Sequence, residues 1–183
     1  RRLRDHGAAM TDLQRHLGAK PYLLADHPDA GYNQRMTDIQ GALGSAQMDR
    51  ATEILEERRR LAGIYLDAFS QIDWLITPET PPTLEHGYQS FACLFQPEAI
   101  NTESILRVNE QRNKLMDYLQ NEGVSTRPGT HAVHMLSYFT EKYALHPGDV
   151  PRAYAANDCS ISLPLFHGLS EAEQLFVIEK VRG

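Results

Sequence analysis

The chain has 183 residues, of which 42% are hydrophobic and 23% charged, and this composition is ordinary for a globular protein with a buried core. Its formal net charge of −6 argues against non-specific nucleic-acid binding, which requires a basic surface. No hydrophobic run reaches the roughly 20 residues that span a membrane, and no signal peptide is recognisable, so we expect a cytoplasmic protein without nucleic-acid or membrane partners.

Residues 1–30 are mixed in composition, with Gly7, Gly18, Pro21 and Pro28 between short apolar runs, and the sequence predicts little regular structure there beyond a short helix near Asp12 to Leu17. The chain opens with Arg1-Arg2-Leu3-Arg4 and has no initiating Met. We therefore expect a fragment or a processed product of a longer protein.

The most informative segment is GYNQRMTDIQGALGSAQMD, residues 31–49. Thr37 and Gln40 have the spacing of a capping box, and they predict a helix from Thr37 to about Met48. Side-chain donors from Asn33 and Arg35 precede this helix, and a helix N-terminus carries unpaired backbone N–H groups. Such a combination suits an anion, above all a phosphate. The alternative is a capped helix preceded by an ordinary polar loop.

The rest of the chain predicts a second, longer helix and then a small α/β module. The helix ends before Ile72, and the charged run 56–60 is expected to be its solvated face. Its predicted buried stripe consists of Ala51, Ile54, Leu55, Leu61, Ala62, Tyr65, Ala68 and Phe69. The elements that follow are a strand at 88–95, a helix at 104–121 closed by Gly123, a short strand at 124–126, short helices at 134–143 and 151–156, a strand at 160–163, and a final helix from a Ser170–Glu173 capping box to about Val181.

A second polar cluster, RPGTHAVH at residues 127–134, follows a predicted strand. Loops at strand ends are frequent binding sites, so His131, His134 and Arg127 are candidates for an active-site role. The alternative is a helix-entry loop with one buried, hydrogen-bonded histidine. We expect no metal site, because no third ligand has suitable spacing. Cys93 and Cys159 lie in apolar runs and are expected to be core thiols of a reducing compartment.

The segment 31–49 resembles the GxNxRM…D…A…G…Q signature of the DegT/StrS family of pyridoxal-phosphate-dependent nucleotide-sugar aminotransferases. Three more pieces resemble that family in the same order: LRDHG at 3–7 the "LRxHG" piece, HGYQSF at 86–91 the "HxYxxY" piece, and SLPLF at 162–166 the "SLPLF" element. Together the four motifs cover nearly the whole chain.

The resemblance implies the C-terminal part of a type I (aspartate-aminotransferase-like) α/β fold. Residues 1–50 would end the large cofactor-binding domain, 51–70 would form a long linker helix, and 71–183 would form the small C-terminal domain. The intact protein would transfer an amino group from an amino acid, usually glutamate, to a keto-sugar nucleotide. It would use pyridoxal 5'-phosphate and act as a homodimer with active sites at the subunit interface.

The resemblance also implies roles for single residues. Asn33 would bind the cofactor phosphate of the partner subunit, and Arg35 would order that loop or meet an anionic group of the substrate. His134 matches the family's loop histidine and would lie on the substrate side with His131, although Ala132 stands where the family usually has Pro.

The family's Schiff-base lysine precedes the "LRxHG" piece, and hence precedes Arg1. We therefore expect no catalytic residue in this chain, and an inactive fragment when it is alone. The competing hypothesis is a non-catalytic α/β module that binds a protein or a small ligand, with Asn33 and Arg35 as helix-entry residues only.

Overall fold

A computed structural model of the chain describes residues 2–5, 8–9 and 28–183. The chain divides into two compact units, Arg1–Ala51 and Thr52–Gly183. The short helix expected near Asp12 to Leu17 lies outside the described residues.

The N-terminal unit contains a 3-10 turn at Arg2–Arg4 and helix α1 at Asp38–Met48. Thr37 is the N-cap of α1, and both hydrogen bonds of the predicted capping box with Gln40 are present. The predicted start of this helix is therefore confirmed. It was predictable because a capping box needs no partner from elsewhere in the chain.

The long helix α2, Ala51–Phe69, is the first element of the second unit. The predicted apolar stripe is buried only in its C-terminal half, at Leu61, Ala62, Tyr65 and Phe69. Leu55, which the stripe also included, is 39% exposed. The part of the stripe before Arg58 thus does not contribute to the core of this unit.

The second unit is built on a three-stranded antiparallel sheet of order β1-β2-β3. The strands are β1 (Leu75–Ile76), β2 (Phe91–Phe95) and β3 (Ser160–Leu163). Phe91 pairs with Leu163, and Leu75 pairs with Phe95. The centre of the sheet is therefore β2, whose alternate residues are buried.

The remaining helices are α3 (Ile105–Asn121), α4 (Ser137–Tyr143), α5 (Pro151–Cys159) and α6 (Glu171–Arg182), with 3-10 turns at Val133–Met135 and Pro147–Asp149. Gly123, at a φ of +84°, ends α3 as expected, because glycine adopts this left-handed conformation without strain. The Ser170–Glu173 capping box is also present at the start of α6.

The main core lies between α2, α6 and the sheet. Tyr65 stacks on Phe69 with ring centroids 5.4 Å apart and packs on Phe91 at 5.0 Å. Residues from α6, among them Val177 and Ile178, belong to the same buried cluster. The buried residues of this core all belong to the second unit.

Two strand predictions are corrected by the structure. The strand predicted at 88–95 is β2, which begins at Phe91 and not at Tyr88, because Tyr88 has a positive φ of 42°, which is incompatible with a strand. The predicted strand 124–126 is wrong: only Arg127 forms an isolated bridge, with Ser162 of β3. Pro128 follows at once and has no N–H with which to extend the ladder.

Candidate functional site

Two segments that the sequence singles out, residues 2–5 and 31–35, pair with each other, and we call this pairing the N-terminal ladder. Asp5 and Asn33 form an antiparallel bridge. The Gln34 N–H donates to the carbonyl of the residue before Asp5, at 2.9 Å. This bond flanks the bridge, so Asp5 and Asn33 form a non-hydrogen-bonded pair, the arrangement in which opposite side chains come closest.

The ladder places three polar side chains on one face. Side chains alternate along an extended segment, so Asn33 and Arg35 point to the same side. The Arg35 Nε lies 3.2 Å from a carboxylate oxygen of Asp5, with side chains 49% and 24% exposed. A second ion pair, Arg2 with Asp29 at 2.9 Å, joins the same part of the chain. The structure thus brings together Asn33 and Arg35 and adds Asp5, which the sequence did not indicate as a site residue.

The N-terminus of α1 contributes less to an anion site than the sequence suggested. Gln40 Oε1 accepts from the Thr37 N–H at 3.0 Å, and Thr37 Oγ1 accepts from the Gln40 N–H at 3.3 Å. The capping box therefore occupies two backbone donors at this end, and the Asp38 carboxylate in the first turn opposes a second negative charge. The donors suited to a phosphate are the side chains of Asn33 and Arg35.

Helix α1 has no buried residue within the N-terminal unit. Its apolar positions Ile39, Leu43 and Met48 are 84%, 64% and 72% exposed. These apolar side chains of the predicted helix are therefore open to solvent in this chain.

The structure places the two candidate histidines in different environments. His134 lies in the 3-10 turn after Ala132, is 8% exposed, and its Nε2 lies 3.1 Å from the carbonyl oxygen of Pro147. His131 is exposed. The Ala132 N–H donates to Asn157 at 2.9 Å, which fixes the loop between the two histidines. The burial of His134 favours the alternative of a hydrogen-bonded structural histidine.

The beginning of the same loop packs tightly on the sheet. The Gly129 N–H donates to Ser160 Oγ at 3.0 Å. A Cβ at Gly129 would lie 2.8 Å from that oxygen and 3.1 Å from the Cβ of Ala92. The Arg127 guanidinium donates to the Thr126 carbonyl at 2.8 Å. Position 129 thus requires glycine because Ser160 and Ala92 lie so close to it, and not because of an unusual φ.

The cysteines are buried free thiols, as predicted. Burial raises the pKa of Cys93 to about 12 and that of Cys159 to about 11. Both groups are therefore neutral at ordinary pH and poorly nucleophilic. Among the described residues, no cluster of three or more His, Cys, Asp or Glu side chains has the arrangement of a metal site.

Arg58 corrects the interpretation of the charged run 56–60 as a solvated face. Its Nη1 donates to the carbonyls of Tyr88 and Gln89 at 2.9 and 3.1 Å, and lies 3.4 Å from that of Leu165. It thereby connects α2 to the HGYQSF and SLPLF segments. A signal was present in the sequence, because Arg58 precedes the buried Leu61 by three positions on the same helical face.

An apolar cleft of about 390 Å³ lies beside α6, lined by residues that include Val124, Phe166, Leu169 and Phe176. Its volume is within the range of small-ligand sites. Glu173 also lines it, but its carboxylate is engaged by Ser170 in the capping box. The cleft therefore offers few polar groups with which to orient a ligand, and none of the sequence-predicted site residues lines it.

Comparison with known families decides the classification. Residues 1–182 match the model of the DegT/DnrJ/EryC1/StrS aminotransferase family. The chain belongs to this family. The match confirms the resemblance found in the four motifs. The family's enzymes use pyridoxal phosphate.

Among curated relatives, the GDP-perosamine synthase of Escherichia coli O157:H7 is 28% identical over 158 residues, and the GDP-perosamine synthase of Caulobacter vibrioides is 29% identical over 170 residues. The alignments cover 85% and 92% of this chain, but only 38% and 43% of the relatives. The chain thus spans about two fifths of the length of these relatives.

The fold agrees with this classification. The PMP-form of the putative sugar aminotransferase Spr1654 from Streptococcus pneumoniae superimposes with a TM-score of 0.76 at 22% identity. The superposition covers 98% of this chain and 42% of that protein. The predicted part of a type I aminotransferase fold is therefore confirmed. In the described part of the chain, no helix has the length and hydrophobicity to cross a membrane.

Proposed function

We propose that this chain is part of an aminotransferase that moves an amino group from an amino acid, with glutamate the expected donor, onto a keto-sugar nucleotide. The observation that carries the proposal is the match of residues 1–182 to the aminotransferase family. The relatives named GDP-perosamine synthases support an amino-sugar nucleotide as the class of product.

We further propose that the chain forms the C-terminal part of that enzyme, with residues 1–50 ending the large domain, 51–70 linking, and 71–183 forming the small domain. Its coverage of about two fifths of the relatives is in keeping with this division. The expected assembly is a homodimer with active sites at the interface. That assembly and a cytoplasmic location stay predictions.

Asn33 and Arg35 are the proposed anion ligands. Pyridoxal phosphate, when bound, supplies the electron sink that permits amino-group transfer. The Asn33 amide is an exposed N–H donor on the ladder, and we propose that it donates to the cofactor phosphate of the partner subunit. Arg35 shares its face and carries a permanent positive charge, so it suits the same phosphate or an anionic group of the substrate.

We propose separate roles for the two histidines. His131 is exposed and remains the candidate for contact with the substrate. His134, the family's loop histidine by resemblance, is buried and bonded to the 147–149 turn, and this supports a role in fixing the loop that presents His131.

The experiment compares Asn33→Ala with Gln34→Ala in the full-length protein. Gln34 is adjacent and exposed, and because side chains alternate along an extended segment, we expect its side chain on the opposite face of the ladder. One lost hydrogen bond to a charged phosphate contributes roughly 1.5–3 kcal/mol, so Asn33→Ala is expected to weaken cofactor binding about 10- to 100-fold. Gln34→Ala is expected to have no such effect.

Cofactor titration of the apoproteins and a thermal melt measure this difference. Unchanged affinity in Asn33→Ala, with a lowered melting temperature, would assign the residue to loop structure alone. Production of 2-oxoglutarate from glutamate and a keto-sugar nucleotide tests the reaction itself. Absence of any turnover with a panel of such nucleotides would contradict the proposed substrate class.

A further inference from the structure

Asp5 is the acidic member of the cluster on the N-terminal ladder, and nothing in the motif resemblance assigns it a role. It lies directly opposite Asn33 in the antiparallel bridge. Its carboxylate lies 3.2 Å from the Arg35 Nε. Asp5 is therefore linked to both proposed anion ligands: its backbone pairs with Asn33, and its carboxylate pairs with the guanidinium of Arg35.

We propose that Asp5 is a positioning residue for the anion site, acting through Arg35. The inference rests on the proposed function, since it takes Asn33 and Arg35 as ligands of the cofactor phosphate. A guanidinium is planar, so a carboxylate at Nε restricts the plane in which its remaining N–H groups lie. The Asp5 side chain is only 24% exposed, which limits the positions that the carboxylate can take.

The sign of the effect distinguishes positioning from mere proximity. A carboxylate beside a phosphate site repels the bound anion, so the removal of a bystander charge would tighten binding. If Asp5 instead orients Arg35, its removal weakens binding, because Arg35 must then be ordered when the anion binds. The two cases therefore predict opposite changes in anion affinity for the same substitution at Asp5.

The test measures the affinity of full-length apoprotein for pyridoxal 5'-phosphate and for pyridoxal, which lacks the phosphate. Asp5→Asn is expected to weaken pyridoxal phosphate binding about two- to fivefold, the range of a partly exposed ion pair, and to leave pyridoxal binding unchanged. Asp5→Glu keeps the carboxylate and is expected to remain closer to wild type. A uniform loss for both compounds would indicate a structural role only and would overturn the proposal.

Asp29→Asn is the matched control, because it breaks a different ion pair among the described residues, the pair with Arg2, and leaves Arg35 in place. It is expected to leave both affinities unchanged. In an Arg35→Gln background, Asp5→Asn is expected to have almost no further effect, since the two residues act as a pair. An equal effect in both backgrounds, or tighter binding by Asp5→Asn, would overturn the proposal.

The two proposals fail in different ways. If Asn33→Ala retains cofactor affinity, the assignment of the phosphate site is wrong. If Asn33→Ala and Arg35→Gln lose affinity while Asp5→Asn binds normally, the phosphate site holds and only the role of Asp5 is refuted. If Asp5→Asn does not fold, Arg35→Gln still tests the proposal, because unchanged pyridoxal phosphate binding by Arg35→Gln would remove the residue through which Asp5 is proposed to act.

Discussion

Replacing Arg58 by Ala is expected to destabilise the chain more than any other change within the charged run 56–60. Its guanidinium reaches three carbonyls from two distant segments, at Tyr88, Gln89 and Leu165. Two of these contacts, at 2.9 and 3.1 Å, fall in the usual range for N–H···O bonds, and the third at 3.4 Å is longer.

The magnitude follows from those two shorter bonds. A hydrogen bond to a charged group contributes about 1.5–3 kcal/mol when it is well made. Arg58 is partly buried, and both good bonds come from one nitrogen, so we expect the free energy of unfolding to fall by about 2–4 kcal/mol. Arg58→Lys is expected to lower the free energy of unfolding by a smaller amount, because the ammonium keeps the charge but lacks the several planar N–H donors of the guanidinium.

Urea denaturation of the chain, followed by circular dichroism, measures the change. Arg60→Ala is the matched control, since Arg60 lies in the same run and pairs with Glu57, one turn away, on the exposed surface. Its midpoint is expected to remain near that of wild type. A result in which Arg58→Ala and Arg60→Ala unfold at the same urea concentration would refute the argument that Arg58 fastens these segments to α2.

Three further predictions concern the second unit. Gly129→Ala is expected to lower the free energy of unfolding by about 1–3 kcal/mol, because its Cβ would lie 2.8 Å from Ser160 Oγ, whereas Gly148→Ala, with open space around it, serves as the control in the same melt. His134→Gln is expected to lower the melting temperature while the folded full-length variant keeps its KM and kcat; a stable variant with reduced kcat would instead return His134 to the substrate side. The pKa of Cys93 is raised by burial from 9.0 to about 12, so its contribution to stability is complete below pH 9 and is lost as the pH rises towards 12. Urea melts at pH 8 and pH 10 should show a smaller loss for Cys93→Ala than for wild type, and equal losses would contradict this.

Features that depend on neighbouring residues were predictable from the sequence. The two capping boxes, at Thr37–Gln40 and Ser170–Glu173, start helices where the pattern indicates. Gly123 ends α3 for an equally local reason, a positive φ. These devices act within one turn of helix, so a short window of sequence contains all of their physics.

Features that depend on distant partners were not predictable in the same way. Tyr88 is of a residue type that favours strands, but its backbone has a positive φ and cannot continue a strand. Its carbonyl accepts a hydrogen bond from Arg58, thirty positions earlier. Strand β1 has only two residues and is defined by its pairing with β2. Asp5 became a site candidate only when the bridge to Asn33 was known. Propensity cannot report such contacts, because it contains no information on the partner.

If the proposed anion binds the paired form of the N-terminal ladder, its binding and the local order of the ladder become thermodynamically linked. Its strands come from segments far apart in sequence, so closing it costs chain entropy that the backbone bonds of Tyr32 and Gln34 must offset. Any anion bound by the paired form alone adds RT ln(1 + [L]/Kd) to the free energy that keeps the ladder closed. Hydrogen exchange at the Tyr32 and Gln34 amides therefore provides an internal gauge of occupancy, readable without a substrate and without turnover.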